Sequence, residues 1–282
     1  MSVALQPRSL EEALELRSAH PEAVPVAGGT DLMVEVNLHG LRPPALLDLS
    51  RVEELNGWSC RDGVLRLGAG TTFDRIGREL ATFSPLAQAA HAFASPQVRK
   101  RATIGGNVVT ASPAADGLAV LAAYDADVVV AAAGRPERRV PWSEFVTGPK
   151  QIALAPDELV AAVEWRPVDG PGSFSKLGVR NAMVIAVASV CVQLDTARHR
   201  VRLALGSVGP TVLRAPRAEA LASSLDWKRA DGSLAEVGRL AAAETAPIDD
   251  VRGSARYRRH AVEVLASRAL GWALADRKAA PC

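Results

Sequence analysis

Two glycine pairs carry the chemistry most readable in this chain. The first lies in Ala27-Gly28-Gly29-Thr30-Asp31, directly after the apolar Val24-Pro25-Val26. The second lies in Thr103-Ile104-Gly105-Gly106-Asn107, with Ser112, Pro113 and Asp116 shortly after it. Adjacent glycines permit positive φ and let a ligand approach the backbone, because no Cβ intervenes. Successive N–H groups then form a concave cradle for an anion. Two such cradles, flanked by Thr, Asn, Ser and Asp, suit a diphosphate held from both sides and hence a dinucleotide. On this reading a Cβ at Gly105 strikes the diphosphate. Either pair alone is equally a tight turn, and Thr30-Asp31 is an ordinary helix cap. Finding both together is what favours a ligand.

Other motifs carry less. Gly68-Ala69-Gly70-Thr71-Thr72-Phe73 begins like a dinucleotide fingerprint. Phe73 stands where a third glycine belongs, and no acidic residue ends a strand about 20 positions on. We read it as a structural turn. Neither a phosphate-loop lysine motif nor a nucleophile elbow is present. His20, His39, His91, His199 and His260 show no metal-ligand spacing. Cys60, Cys191 and Cys282 form no C-x-x-C pair, so neither a metal cluster nor a disulfide framework is expected. No catalytic acid, base or nucleophile is assigned, and no metal site. Asp116 is either the N-cap of a helix over residues 117–124 or an acceptor for ligand hydroxyls. Arg256-Tyr257-Arg258-Arg259 reads as a solvated helix face.

Composition narrows the function classes. Lys+Arg 33 against Asp+Glu 31 leaves no basic field, and 4% aromatics supply no stacking platform, so nucleic acid is not an expected partner. The longest apolar stretch, residues 182–192, is roughly half a membrane span. The first residues lack a secretory signal pattern. A cytoplasmic chain without a membrane span is expected.

The elements that must position the glycine pairs follow from capping and periodicity. Ser9-Leu10-Glu11-Glu12 has capping-box spacing and predicts a helix ending near His20. Strands are predicted over 24–27, 45–49, 64–68 and 158–165, with a hairpin joining 127–131 to 138–140. Short helices are predicted after Asp31, over 72–80 behind Thr72 as N-cap, and over 85–93. Residues 167–172 are rich in breakers and mark a boundary. Beyond it, strands over 183–194 and 201–208 precede helices over 215–225, 233–243 and 254–275, an α+β pattern.

Taken in order, these segments resemble the FAD-binding (medium) subunit of the xanthine dehydrogenase / aerobic carbon monoxide dehydrogenase family of molybdenum hydroxylases. The resemblance runs over nearly the whole chain. It adds Phe174-Ser175-Lys176-Leu177-Gly178-Val179-Arg180, Gly206-Ser207-Val208-Gly209-Pro210 and Asp249-Asp250-Val251-Arg252-Gly253-Ser254-Ala255-Arg256-Tyr257-Arg258 to the two glycine segments. It implies an α+β fold: a two-part FAD-binding domain of the vanillyl-alcohol-oxidase (PCMH) type over 1–168, with subdomains about 1–55 and 56–168. An antiparallel sheet covered by helices follows over 172–282. It also implies FAD as cofactor, wrapped at its diphosphate by residues 27–31 and 103–107. Thr103 and Asp116 would contact phosphate and ribityl groups, with Phe93 and Val160 near the rings and Lys176 near the flavin. The implied partners are a small subunit with 2Fe–2S clusters and a large molybdopterin subunit, as a dimer of heterotrimers. Electrons would pass from those clusters to an acceptor such as NAD or a quinone. The substrate would be set by the molybdenum subunit. Lacking cluster cysteines, the chain is expected to be a separate subunit that oxidises no substrate alone. Two alternatives stand beside this reading. A free-standing FAD oxidoreductase would need an acid, base or covalent-flavin residue in the glycine segments, and neither holds a His or Cys. A non-catalytic scaffold would not need both segments intact.

Overall fold

The computed structural model describes residues 3–229 and 233–279; Cys282 lies outside them. Two compact units share the chain. Residues up to 75, 96–111 and 126–166 form the first; residues 76–95, 112–125 and those from 167 onward form the second.

The first unit begins with a three-stranded parallel sheet in the order Val3–Leu5, Ala45–Asp48, Ala23–Val26. The helix Leu10–Ala19 starts where the capping residues require: the Ser9 hydroxyl accepts the Glu12 N–H at 3.1 Å, and Glu12 reaches back to the Arg8 N–H. Ala13, Ala23, Leu47, Val52 and Leu55 share a core with Leu159 and Ala161. Those last two belong to a five-stranded antiparallel sheet, ordered Trp58–Arg61, Val64–Gly68, Glu158–Trp165, Asp127–Ala132, Arg135–Pro141. The strand Val3–Leu5 is too short to show a period and escapes sequence reading.

The second unit is built on a four-stranded antiparallel sheet: Gly172–Leu177, Ala188–Asp195, Arg200–Gly206 and Leu213–Arg214. The helices Pro216–Ser224, Leu234–Ala243 and Ala255–Ala279 follow it. Val190, Val192, Leu194, Leu203 and Leu205 of the sheet join Ala218, Val237, Val262, Ala266 and Leu270 in one core. The α+β order expected from the sequence is therefore present. The strand predicted from residue 183 instead begins at Ala188. Met183 has φ +52°, and Arg180 Nε donates to the Ala182 and Met183 carbonyls at 3.1 Å. A side chain thus occupies carbonyls that a ladder would have used. Among the described residues no helix is long and apolar enough to cross a membrane.

Candidate functional site

In the first unit the backbone brings the two glycine pairs together. A Cβ on Gly28 would stand 2.0 Å from the Arg101 carbonyl oxygen, two residues before Thr103. Gly28 is therefore glycine because another backbone segment lies against it. Gly29 holds φ +71°, a conformation that only glycine adopts without strain. The N–H groups of Gly28, Gly29 and Thr30 make no hydrogen bond among the described residues. They are the free donors that an anion cradle requires. Asp31 does not cap the helix Leu32–Leu38. Its Oδ2 accepts the Thr110 hydroxyl at 3.0 Å instead, a tie between the two segments that sequence reading missed. Thr110→Val is expected to cost less than about 1 kcal/mol in urea unfolding, since water replaces the donor at the exposed Asp31. A larger loss would mean that this bond organises more than the two segments.

The second pair is not a loop. Gly105 and Gly106 lie in the first turn of the helix Ile104–Thr110, behind Thr103 as N-cap. Neither has positive φ. Each N–H is already taken: Ile104 donates to the Thr71 carbonyl, Gly105 to Ala69 at 2.8 Å, Gly106 to Thr103 Oγ1 and Asn107 to the Thr103 carbonyl. Thus only the first pair offers a cradle of open donors. The reason for Gly105 also changes. Its Cβ would stand 2.6 Å from Ala69 Cβ and 2.8 Å from Ala69 O, so the first obstacle is the chain itself. Gly106 is exposed, and a Cβ there would meet only Thr103 Oγ1, at 3.2 Å. Ile104 is fully buried and offers backbone alone. Asn107 Oδ1 is buried without a hydrogen-bond partner among the described residues.

The neighbouring turn and the central strand fix this geometry. A Cβ on Gly68 would stand 2.3 Å from the Leu55 carbonyl oxygen, so Gly68 packs against backbone as a structural turn requires. Val160 is buried beside a bulge in Glu158–Trp165, where Val160 pairs with Val130 and Ala162 with Val129. On the strand's other edge the antiparallel ladder to Val64–Gly68 continues by one rung, and the Ala161 carbonyl accepts the Ala69 N–H at 2.9 Å. Ala69 in turn accepts from Gly105. Strand, turn and helix are linked in series.

The second unit holds Phe93, Asp116 and Lys176. Asp116 is not the N-cap expected from the sequence: it is the first residue of the wholly buried helix Asp116–Ala123, and Ala115 precedes it as N-cap. Its Oδ2 lies 2.6 Å from Lys176 Nζ, on the strand Gly172–Leu177. Both side chains are more than nine-tenths buried. Lys176 also donates to the Ala92 carbonyl at 3.3 Å, next to Phe93, which ends the helix Ser84–Ala92 and is half-buried. Burial pushes the Asp116 carboxyl up to about 6, against the opposing charge and hydrogen bond of Lys176. Asp116 Oδ1 has no hydrogen-bond partner among the described residues.

Arg258 is another correction. Its neighbours Arg256, Tyr257 and Arg259 are exposed, but Arg258 is 2% exposed. The Asp249–Arg258 segment was visible as a motif, yet nothing in the charge pattern singles out the one arginine that turns inward.

In the first unit the N–H groups of Gly28, Gly29 and Thr30 can bind an anion and the Asn107 oxygen can accept a hydroxyl; in the second, the Asp116 oxygen can accept one. Among the described residues no cluster of metal-ligating side chains occurs. A model of the FAD binding domain in molybdopterin dehydrogenase matches residues 1–165, and one of the CO dehydrogenase flavoprotein C-terminal domain matches residues 173–273. The chain is 31% identical to the xanthine dehydrogenase FAD-binding subunit of Escherichia coli O157:H7, over 95% of this chain and 94% of that one. It is 31% identical to the glyceraldehyde dehydrogenase medium chain of Sulfolobus acidocaldarius, over 93% and 94%. A solved carbon monoxide dehydrogenase from Hydrogenophaga pseudoflava superposes with TM-score 0.89 at 28% identity, covering 97% of each chain.

Proposed function

The chain belongs to the family of FAD-binding subunits of xanthine dehydrogenase and CO dehydrogenase type molybdenum hydroxylases, and we propose that it relays electrons within such a complex. It takes them from the 2Fe–2S clusters of a partner subunit and passes them to an acceptor such as NAD or a quinone. The complex is cytoplasmic and contains a molybdopterin subunit, as a dimer of heterotrimers. The domain boundary lies at 168–172, with subdomains about 1–55 and 56–168.

The observation that supports the reading is that each unit holds unsatisfied groups of the kinds FAD needs as partners. Free N–H groups at Gly28, Gly29 and Thr30 suit the diphosphate, and residues 27–31 and 103–107 surround it. Thr103 acts there chiefly by capping its helix and presenting Gly106. The orphaned oxygens of Asn107 and Asp116 suit sugar or ribityl hydroxyls, because a buried acceptor without a donor is costly. Phe93 and Val160 supply apolar contact to the rings. Bound FAD supplies the ability to accept and release one or two electrons. Lys176 places a buried ammonium near the flavin, and Asp116 compensates its charge. Exposed Val179, Met183 and Ile185 are apolar surface of the kind that a subunit contact covers.

The purified full chain, supplied with FAD, is expected to be yellow with stoichiometric flavin. It is also expected to turn over no organic substrate alone. A chain that cannot be loaded with FAD would refute the reading, and turnover by the isolated chain would replace it with a self-sufficient oxidase or dehydrogenase.

A further inference from the structure

We propose that Arg258 is a positioning residue for the Asp116–Lys176 pair, acting through two backbone carbonyls that its buried guanidinium holds at once. Nη1 donates to the Val187 carbonyl at 2.6 Å and to the Ser207 carbonyl at 2.9 Å. Each of those residues is tied onward. The Val187 N–H donates to the Leu177 carbonyl at 2.8 Å, and Leu177 directly follows Lys176. The Ser207 N–H donates to the Pro113 carbonyl at 2.8 Å, and Pro113 opens the short segment that leads to Asp116. One side chain thus joins the strand bearing the ammonium to the loop that places the carboxylate.

The rest of the guanidinium is also committed. Nη2 donates to Asp250 Oδ1 at 2.6 Å, which balances the buried charge, and Nε reaches the Gly253 carbonyl at 3.4 Å. Arginine suits this place because its donors sit in a rigid planar fork, whereas lysine has three donors on one mobile atom. Ser207 shows what the tether holds: it has φ +65°, a backbone state that a non-glycine residue keeps only under external constraint. At the neighbouring Gly206 a Cβ would lie 2.4 Å from Ser189 Oγ, so that hydroxyl would have to turn away. The guanidinium holds the segment in this strained turn. Lysine at 258 keeps the charge, but its chain is one bond shorter and its one nitrogen cannot stand in the places of Nη1, Nη2 and Nε at once, so the two carbonyls lose their fixed holder and Lys176 and Asp116 lose their common reference. A separation change well under 1 Å is enough to alter a 2.6 Å contact.

The role rests on the reading that the pair faces FAD. The test compares full chains reconstituted with FAD: wild type, R258K, D250N and V262A. Val262 is buried in the same helix and its aliphatic side chain donates no hydrogen bond to either carbonyl, so V262A controls for loss of core packing. R258K is expected to raise the FAD Kd by about tenfold and to shift the flavin midpoint potential, since small misplacements of a positioned group carry large penalties. D250N, which loosens the guanidinium without removing it, raises the Kd by about threefold and shifts the potential in the same direction by less. V262A changes thermal stability but leaves both at wild type. Hydrogen exchange of the Val187 and Ser207 amides in FAD-free chain is faster in R258K than in V262A at matched stability. R258K or D250N indistinguishable from V262A in Kd and potential would overturn the role of Arg258. A wild-type chain that takes up no FAD would instead overturn the flavin reading itself.

Discussion

Gly105→Ala and Gly106→Ala, one residue apart, are expected to fail in opposite ways. Gly105→Ala loses about 3 kcal/mol of stability, at the upper end of what overpacking costs. Its new methyl meets Ala69 Cβ at 2.6 Å and Ala69 O at 2.8 Å. Ala69 cannot yield, because its N–H is held by the Ala161 carbonyl and its own carbonyl holds Gly105. Gly106→Ala keeps wild-type stability or gains a little, because alanine is favoured over glycine inside a helix by roughly 0.5–1 kcal/mol. Only Thr103 Oγ1 at 3.2 Å needs to give way. The same methyl stands on the exposed face that the flavin reading assigns to the diphosphate, so FAD affinity drops at least about tenfold, equivalent to about 1.4 kcal/mol. Urea unfolding and FAD titration of the two variants separate the effects. Wild-type affinity in Gly106→Ala would remove the diphosphate from that face. Wild-type stability in Gly105→Ala would refute the contact with Ala69.

That contrast shows where sequence reading stops. The pattern Gly-Gly flanked by Thr and Asn was visible, but its two members do different work, and a pattern of residue types carries no information about which neighbour each one faces. The glycines also hid the helix Ile104–Thr110, because helix propensity counts against them while the Ala69 contact that demands glycine at 105 is distant in sequence. Strand Val64–Gly68, the hairpin from Asp127, and helix Leu10–Ala19 were legible because caps, turns and alternation are local. Strand Gly172–Leu177 was not, since Gly172, Ser173 and Ser175 continue a stretch rich in Pro, Gly and Ser that reads as loop. The pair Asp116–Lys176 joins residues that only tertiary structure makes adjacent. A carboxylate opening an apolar helix looks like a cap, and only burial of its partner reveals an ion pair. Arg258 is the extreme case: three of the four residues in its run face water, as the pattern predicts, and the fourth lies in the core.

Lys176→Met is expected to destabilise the chain by about 3 kcal/mol or more at pH 8, and by much less at pH 5. Removing one partner of a buried pair strands the other, which typically costs 3–5 kcal/mol. The pH dependence follows from Asp116. Its folded-state pKa of about 6 stands above the ordinary carboxylate value because burial disfavours the charged form. A raised folded pKa means that the unfolded state releases the proton more readily. The associated stability is therefore full in acid and is lost as pH rises through about 6. In the wild type Lys176 limits that loss by its charge and hydrogen bond. Without them the folded pKa climbs further, so the window of loss extends to higher pH while Asp116 stays protonated at pH 5. The gap between wild type and variant should therefore widen with pH, which unfolding curves at pH 5 and 8 measure directly. Asp116→Asn in the Lys176→Met background has no carboxyl to ionise and should erase that slope. An equal cost at both pH values would mean that Lys176 acts by packing, and would remove charge compensation as the reason the two residues are buried together.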